Sequence, residues 1–329
     1  MRALIVGLGA IGRRHLANLA EVEPTAVVTV WHQHSGPYDH PLPSRFSEVF
    51  SLEDALASRP QIALLTGPAS VHVDTALDLA AHGVHLLVEK PLSHNVDGVE
   101  PLLERCRLGN LTLLVGYNYR FYEPMQVMRR ALIEGRIGRI LSVRAEVGQY
   151  LPDWRPGADY RRSGSAQRAL GGGALLELSH EIDYVRWLGG EIAEVSATVG
   201  QLSDLELDVE DTAEITLRFA TGAIGSIHLD MVQRWPSRSC KVIGTEGTLA
   251  WDGASHQLKW YSSASSEWVD LCPAIHRDRN EPYLSEMCHF LDCVRGRSTP
   301  VVSGADGLRV LEIALAARQS SAERRAVAL

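Results

Sequence analysis

The stretch MRALIVGLGAIGRRHLANLA, residues 1–20, decides the reading of the fold. It opens on an apolar run, Ala3 to Val6, too short for a helix and built from strand formers. Gly7, Gly9 and Gly12 follow at G-x-G-x-x-G spacing, and Ile11, Leu16 and Leu19 then recur at helical intervals. Strand, glycine turn and helix in this order form a dinucleotide-binding fingerprint. Gly7 permits the tight turn, Gly9 lets the backbone approach a pyrophosphate, and Gly12 lets the helix pack close to the strand. The free N–H groups of the helix then face the phosphates.

Working outward, TAVVTVW (25–31), IALLTG (62–67), VHLLVEKP (84–91) and LTLLVGYN (111–118) read as further buried strands. Between two of them, SVHVDTALDLAAHG has helical periodicity and ends on Gly83, a good C-cap. Alternating strands and helices predict an α/β fold with a Rossmann-type doubly wound parallel sheet over residues 1–120. The pattern then changes. RILSVRAEVGQY, EIAEVSATVGQL, EDTAEITLRFATGAIGSIHLDMV, SCKVIGTEGTLAWDG and QLKWYSS alternate apolar and polar residues, as an antiparallel sheet with one wet face does. Thr221-Gly222 reads as a hairpin turn. Residues 121–329 are therefore expected to form an α+β domain with a large open, mostly antiparallel sheet.

Composition narrows the partners. The 329 residues suit two domains, and 45% hydrophobic with 22% charged content is ordinary for a globular protein. A net charge of −8 without long runs of one sign favours neither nucleic acid nor a membrane surface. No apolar run approaches the length of a membrane span, and the glycine-interrupted start does not read as a signal peptide. Cys106, Cys240, Cys272, Cys288 and Cys293 are scattered and odd in number, which reads as reduced thiols of a cytoplasmic protein. His32, His34 and His40 are loosely spaced with no paired cysteines, so no metal is expected.

In an open parallel sheet, ligands bind beyond the carboxyl ends of the strands. Those ends carry Thr66 to His72 (TGPASVH), Glu89-Lys90-Pro91, and Tyr117 to Arg120. The Lys90–Pro91 bond is a candidate for the cis form. A lysine there can hold a substrate hydroxyl or donate a proton. The expected cofactor contacts are Gly7, Gly9, Ala10, Ile11, Gly12, His32, Thr66, His72, Glu89, Lys90 and Asn118.

GLGAIGRRH, TGPASVH, VHLLVEKPLS, GYNYRF, EGRIGRILSVRAE and GGGALLELSHEIDYVRWL together resemble the glucose–fructose oxidoreductase / inositol dehydrogenase (Gfo/Idh/MocA) family. The likeness runs from residue 1 to about 190 and continues weakly through Tyr283, Glu286, Phe290 and Ala305-Asp306-Gly307. It implies a Rossmann domain and a second domain whose sheet makes oligomer contacts, hence a homo-oligomer, dimer or tetramer. It also implies oxidation or reduction of a carbon of a sugar, sugar acid, amino sugar or cyclitol with NAD or NADP. By this resemblance Lys90 is the family's EKP lysine and His180 its catalytic histidine. GQYLPDWRPGADYRRS resembles a subgroup associated with sugar biosynthesis clusters.

The family's aspartate four residues before the histidine is Leu176 in this chain, and Glu177 stands three before. On a helical wheel, Leu175, Leu178, Ile182 and Val185 fall within about 80° as a core face. His180 points about 140° from Leu175, with Tyr184, Glu177 and Asp183 within about 60° of it. His180 is thus the expected acid/base, with Lys90 assisting and Glu177 replacing the aspartate. Tyr119, Arg120, Trp154, Arg155, Tyr160, Asp183 and Tyr184, with Asp153 and Arg161 beside them, are the expected substrate contacts. Their arginines suit a carboxylate or phosphate.

The second strand ends in VWHQHSG, with no acid at Trp31 to His34 for the ribose of NAD and no arginine for a 2′-phosphate. Arg13 and Arg14 are substitutes for the latter, and the reading leans to NADP tolerance. Two alternatives stay open: a redox-neutral glycosidase with tightly held NAD, and a non-catalytic nucleotide-binding regulator on the same fold.

Overall fold

The computed structural model describes residues 1–33 and 42–329, so His34 and His40 lie outside the described residues. The chain divides into two compact units, one of residues 1–118 with 282–308, the other of 119–281 with 309–329. The sequence reading has a single boundary at residue 120; the chain in fact enters the first unit twice.

The first unit carries β1 (Arg2–Val6), α1 (Ala10–Val22), β2 (Val27–Trp31), β3 (Ser47–Val49), α2 (Leu52–Ala57), β4 (Ile62–Leu65), α3 (His72–Ala81), β5 (His85–Val88), α4 (Val99–Leu108) and β6 (Leu113–Val115). Its strands form one parallel sheet in the order β3-β2-β1-β4-β5-β6, reversing direction of travel at β1 and β4. Strands buried on both faces need apolar residues at successive positions, and β1, β4, β5 and β6 have them. All the carboxyl strand ends, and the turns that follow them, lie along one edge.

The second unit holds α5 (Glu123–Ile133), β7 (Ile140–Gly148), α6 (Ala174–Glu177), α7 (His180–Gly189), β8 (Ile192–Gly200), β9 (Thr212–Phe219), β10 (Ile224–Asp230), β11 (Ser237–Gly244), β12 (Gly247–Asp252), β13 (Gln257–Ser262) and β14 (Glu267–Cys272). The chain continues through α8 (Glu281–Val294) and α9 (Gly304–Glu323) to β15 (Val327–Ala328). Nine strands make one sheet, β14-β13-β12-β11-β7-β10-β9-β8-β15. It is antiparallel except at β7–β10. β9 alternates buried and open residues along its length, and the β9–β10 hairpin turns at Gly222, whose φ of +85° suits glycine. Among the described residues, no helix is long and apolar enough to cross a membrane.

The returning segment finishes the first unit. Ser303 bridges Leu114 of β6, and the start of α9 packs so closely that a Cβ on Gly304 would lie 2.5 Å from Leu103 and Leu113. α8 places Met287, Phe290 and Leu291 in the core.

Candidate active site

The glycine turn after β1 has the conformation its sequence requires. Gly7 takes φ +85°, and a Cβ on Gly12 would meet the Gly7 carbonyl oxygen at 2.3 Å and Thr66 Oγ1 at 2.7 Å. Only glycine fits there. A Cβ on Gly9 would meet nothing within 4 Å, and α1 starts at Ala10 with no side chain capping it. Ala10 and Ile11 are open to solvent or partly so. An uncapped helix end approached past a bare glycine fits a pyrophosphate. The residues present therefore suit a dinucleotide held by Gly7, Gly9, Ala10, Ile11 and Gly12.

Other expected cofactor contacts turn out to brace this edge from within. Thr66 Oγ donates to the carbonyls of Val6 (2.9 Å) and Gly7 (2.8 Å), clamping the glycine turn to β4. His72 sets Nδ1 3.0 Å from the Pro91 carbonyl and Nε2 2.9 Å from that of Gly67, joining the turns after β4 and β5. Burial lowers its pKa, against the two carbonyls, which favour the protonated ring. The His32 ring is buried at the end of β2, with Nε2 2.8 Å from Glu48 and its face stacked on Phe50. Asn118 is buried at the end of the segment after β6.

Lys90 follows β5, and its bond to Pro91 is cis. Its backbone N–H donates to Glu89 Oε2 at 3.1 Å, while Glu89 Oε1 lies 2.7 Å from His15 Nε2. Glu89 is therefore a buried brace between α1 and the lysine turn. Sequence reasoning gave no site role to His15 or to Glu286, which enter it only through the family likeness. Both are 0% exposed, and with Glu89 they bring one ligand-type atom each within 4.8 Å of one another. This is the one grouping of cation-ligating type among the described residues. Burial alone would raise the Glu89 pKa, but the His15 contact and the Lys90 charge outweigh it and hold it low. Glu286 has neither carboxylate oxygen hydrogen-bonded, and burial, then the Glu89 charge, push its pKa well above the usual carboxylate range.

The sign of the consequence is fixed by linkage. Folded chains keep a proton on Glu286 that unfolded chains release above the ordinary glutamate pKa, so stability falls as pH rises through that window. Glu286→Gln keeps the shape and cannot ionise. Its Tm is expected to match the wild type near about pH 4 and to exceed it by a growing margin toward about pH 8. A wild-type advantage at the higher pH would mean that Glu286 is ionised and paired.

In the second unit, Gly171 (φ +83°) and Gly173 (φ +107°) turn the chain into α6. A Cβ on Gly173 would lie 2.4 Å from Glu210 Oε1, so these glycines fold the backbone onto its own neighbours. The helix that the wheel assumes from Leu175 to Val185 is broken at Leu178 and Ser179, and His180 opens α7. Leu175, Leu178, Ile182 and Val185 are all buried, as the wheel requires. His180 and Glu177 are half-buried. The His180 ring lies 5.1 Å from that of Tyr119, which also meets Tyr122, Tyr184 and Trp251.

The polar residues that the wheel groups around His180 are largely buried. Asp183 is 0% exposed, and Arg120, 5% exposed, reaches it through Nη2 at 2.6 Å and Nε at 3.0 Å. Tyr184 is fully buried and donates its hydroxyl to Glu181 at 3.1 Å. Glu181 is paired with Arg238 at 2.8 Å, and Arg238 also contacts the Tyr119 hydroxyl and lies over its ring. Burial raises the Glu181 pKa, with Arg238 opposing. Arg120, Asp183 and Tyr184, expected to face substrate, instead direct their polar ends into this interior network. Glu181 and Arg238 were missed, although Glu181 adjoins His180 in the sequence.

Trp154, Arg155 and Tyr160 line a pocket of about 300 Å³ together with Leu151, Arg162 and Ser165. Arg161 and Asp153 stand exposed on the same loop.

The chain is 28% identical to the myo-inositol 2-dehydrogenase of Thermotoga maritima, over 100% of this chain and 98% of that protein. It is 27% identical to the scyllo-inositol 2-dehydrogenase (NAD(+)) of Bacillus subtilis, over 97% and 94% respectively. Among solved structures, levoglucosan dehydrogenase in complex with NADH shares the fold at a TM-score of 0.86 and 22% identity, covering 100% of this chain and 98% of that one. The family model for the oxidoreductase family's NAD-binding Rossmann fold matches residues 1–117, and the one for its C-terminal alpha/beta domain matches residues 129–329. Both halves, in the order in which the two sheets occur, match a single family: the chain belongs to the Gfo/Idh/MocA oxidoreductases.

Proposed function

We propose that this protein is an NAD-dependent oxidoreductase that moves a hydride to or from a CH–OH carbon of a sugar, sugar acid, amino sugar or cyclitol. The observation that carries the reading is the shared edge of the first sheet. An open glycine turn with an uncapped helix end lies beyond β1, and Lys90, braced by Glu89 and His15, lies beyond β5. The inositol dehydrogenases that the chain resembles over nearly their whole length support the substrate class.

When bound, the nicotinamide supplies the hydride acceptor. His180 is assigned the proton of the reacting hydroxyl, since an imidazole exchanges protons near neutral pH. The Lys90 ammonium is assigned the negative charge left on that oxygen. Glu177, three residues before His180, is assigned the orientation of the ring as a positioning residue. Tyr119, Trp154, Arg155 and Tyr160 are assigned to the substrate. With no acid at the end of β2, NADP is expected to be tolerated beside NAD.

The test is NADH formation with a panel of sugars, sugar acids and cyclitols, followed by kcat/KM with each nucleotide on whichever substrate turns over. Net NADH production and a measurable NADP rate are expected. Copurified cofactor with cleavage of glycosides and no net NADH would identify a redox-neutral glycosidase. Cofactor binding without turnover across the panel would identify a regulator.

A further inference from the structure

The loop between β7 and α6 forms a pocket whose walls are fixed by hydrogen bonds to the rest of the second unit. The Leu151 N–H donates to the Met231 carbonyl at 2.9 Å. The Trp154 indole N–H donates to the Gln149 carbonyl at 3.0 Å, and the Tyr160 hydroxyl accepts the Glu206 N–H at 3.1 Å. At the back, the Ser165 carbonyl accepts the Gly173 N–H at 3.1 Å. A Cβ on Gly172 would sit only 2.6 Å from that same oxygen, so the pocket wall is packed directly on the glycine run that leads to His180.

The charges around this pocket are unbalanced. Arg161 takes Asp159 at 2.8 Å and Glu206 at 3.4 Å, which leaves Asp153, exposed on the same loop, against Arg155 and Arg162. Among the described residues, Arg155 and Arg162 form no ion pair, although the chain carries a net charge of −8. Asp159 lies in the field of Arg162, but its oxygens are held by Arg161. Two exposed guanidinium groups beside a fixed indole, in a chain with excess acid, make a recognition surface for anionic oxygens. The volume of about 300 Å³ is at the small end for ligand sites, enough for one sugar ring and its acidic group.

We propose that this pocket is an anion subsite, in which Arg155 and Arg162 hold the carboxylate or phosphate oxygens of an acidic sugar while Trp154 covers the ring. It deepens the dehydrogenase reading and rests on it for the identity of the ligand as substrate. The arginines would then act on affinity and leave the hydride step alone.

The test titrates the NAD-loaded protein with glucuronate, glucose 6-phosphate and myo-inositol, and repeats it with Arg155→Gln, Arg162→Gln and the double variant. At least one acid is expected to bind the wild type about tenfold or more tighter than inositol. Each substitution is expected to weaken that acid about tenfold and inositol by a clearly smaller factor, with Tm unchanged. Which acid wins separates a carboxylate from a phosphate ligand. Equal binding of all three probes by the wild type, or equal losses for all three in the variants, would overturn the subsite. If arginine-dependent acid binding is seen but no sugar is oxidised, the dehydrogenase reading fails and the subsite stands. If neutral sugars are oxidised and acids gain nothing from the arginines, the subsite alone fails.

Discussion

His180→Ala is expected to lower kcat by about a hundred- to ten-thousand-fold, the range for loss of a general acid/base, with NADH affinity unchanged. The ring is held by packing, tilted against Tyr119 at a centroid distance of 5.1 Å, and opens a helix whose next residue, Glu181, is locked to Arg238. Removing the imidazole leaves this frame in place, so the loss should be of chemistry. The glycine turn belongs to the other unit, which is why cofactor affinity is the proper control. The measurement is steady-state turnover on the substrate found for the wild type, beside fluorescence titration with NADH. Near-normal turnover with intact NADH binding would sink the assignment.

Arg120→Met is expected to cost stability on a comparable scale, about 3–5 kcal/mol, because it leaves the Asp183 charge buried and uncompensated. The same logic applies to Asp183→Leu. The double variant removes both charges and should recover much of the loss, since an apolar pair of similar volume avoids the desolvation cost. Urea denaturation of the four proteins gives the coupling between the sites. If Arg120→Met instead raised KM and left the denaturation midpoint in place, the arginine would be a substrate group after all. The pair's burial argues for the structural outcome: the guanidinium donates to both carboxylate oxygens, at distances of 2.6 to 3.1 Å.

The contrast between these two residues shows what the sequence could carry. The parallel strands were legible because burial on both faces writes continuous apolar runs such as Leu64-Leu65 and Leu86-Leu87-Val88. The glycine turn was legible because its steric demands are local. The burial of Leu175, Leu178, Ile182 and Val185 in the His180 segment was also legible, and it holds in spite of the break at Leu178 and Ser179. The opposite face did not, because whether a carboxylate is solvated or buried depends on partners remote in the chain. Asp183 is met by Arg120, 63 positions away, and Glu181 by Arg238, 57 positions away. Glu89 is braced by His15 across 74 positions, and His32 turns to Glu48 across 16. No periodicity encodes such pairs. A buried carboxylate also has no signature of its own, so nothing in the sequence marks Glu286 as buried.

The double entry of the chain into the first unit bears on the order in which the protein is made. Synthesis reaches Val115 of the last parallel strand long before it reaches Ser303, Gly304 and Gly307, which pack on Leu114, Leu113 and Val115. The whole of residues 119–281 emerges between them. The nucleotide-binding sheet is thus left with an unfilled apolar flank, at β6 and Leu103, while the second unit is translated. A fragment cut at residue 120 would keep that flank bare and would lack Glu286, Met287 and Phe290 from its core. Residues 282–308, made only after the whole of 119–281, complete the unit that residues 1–118 begin.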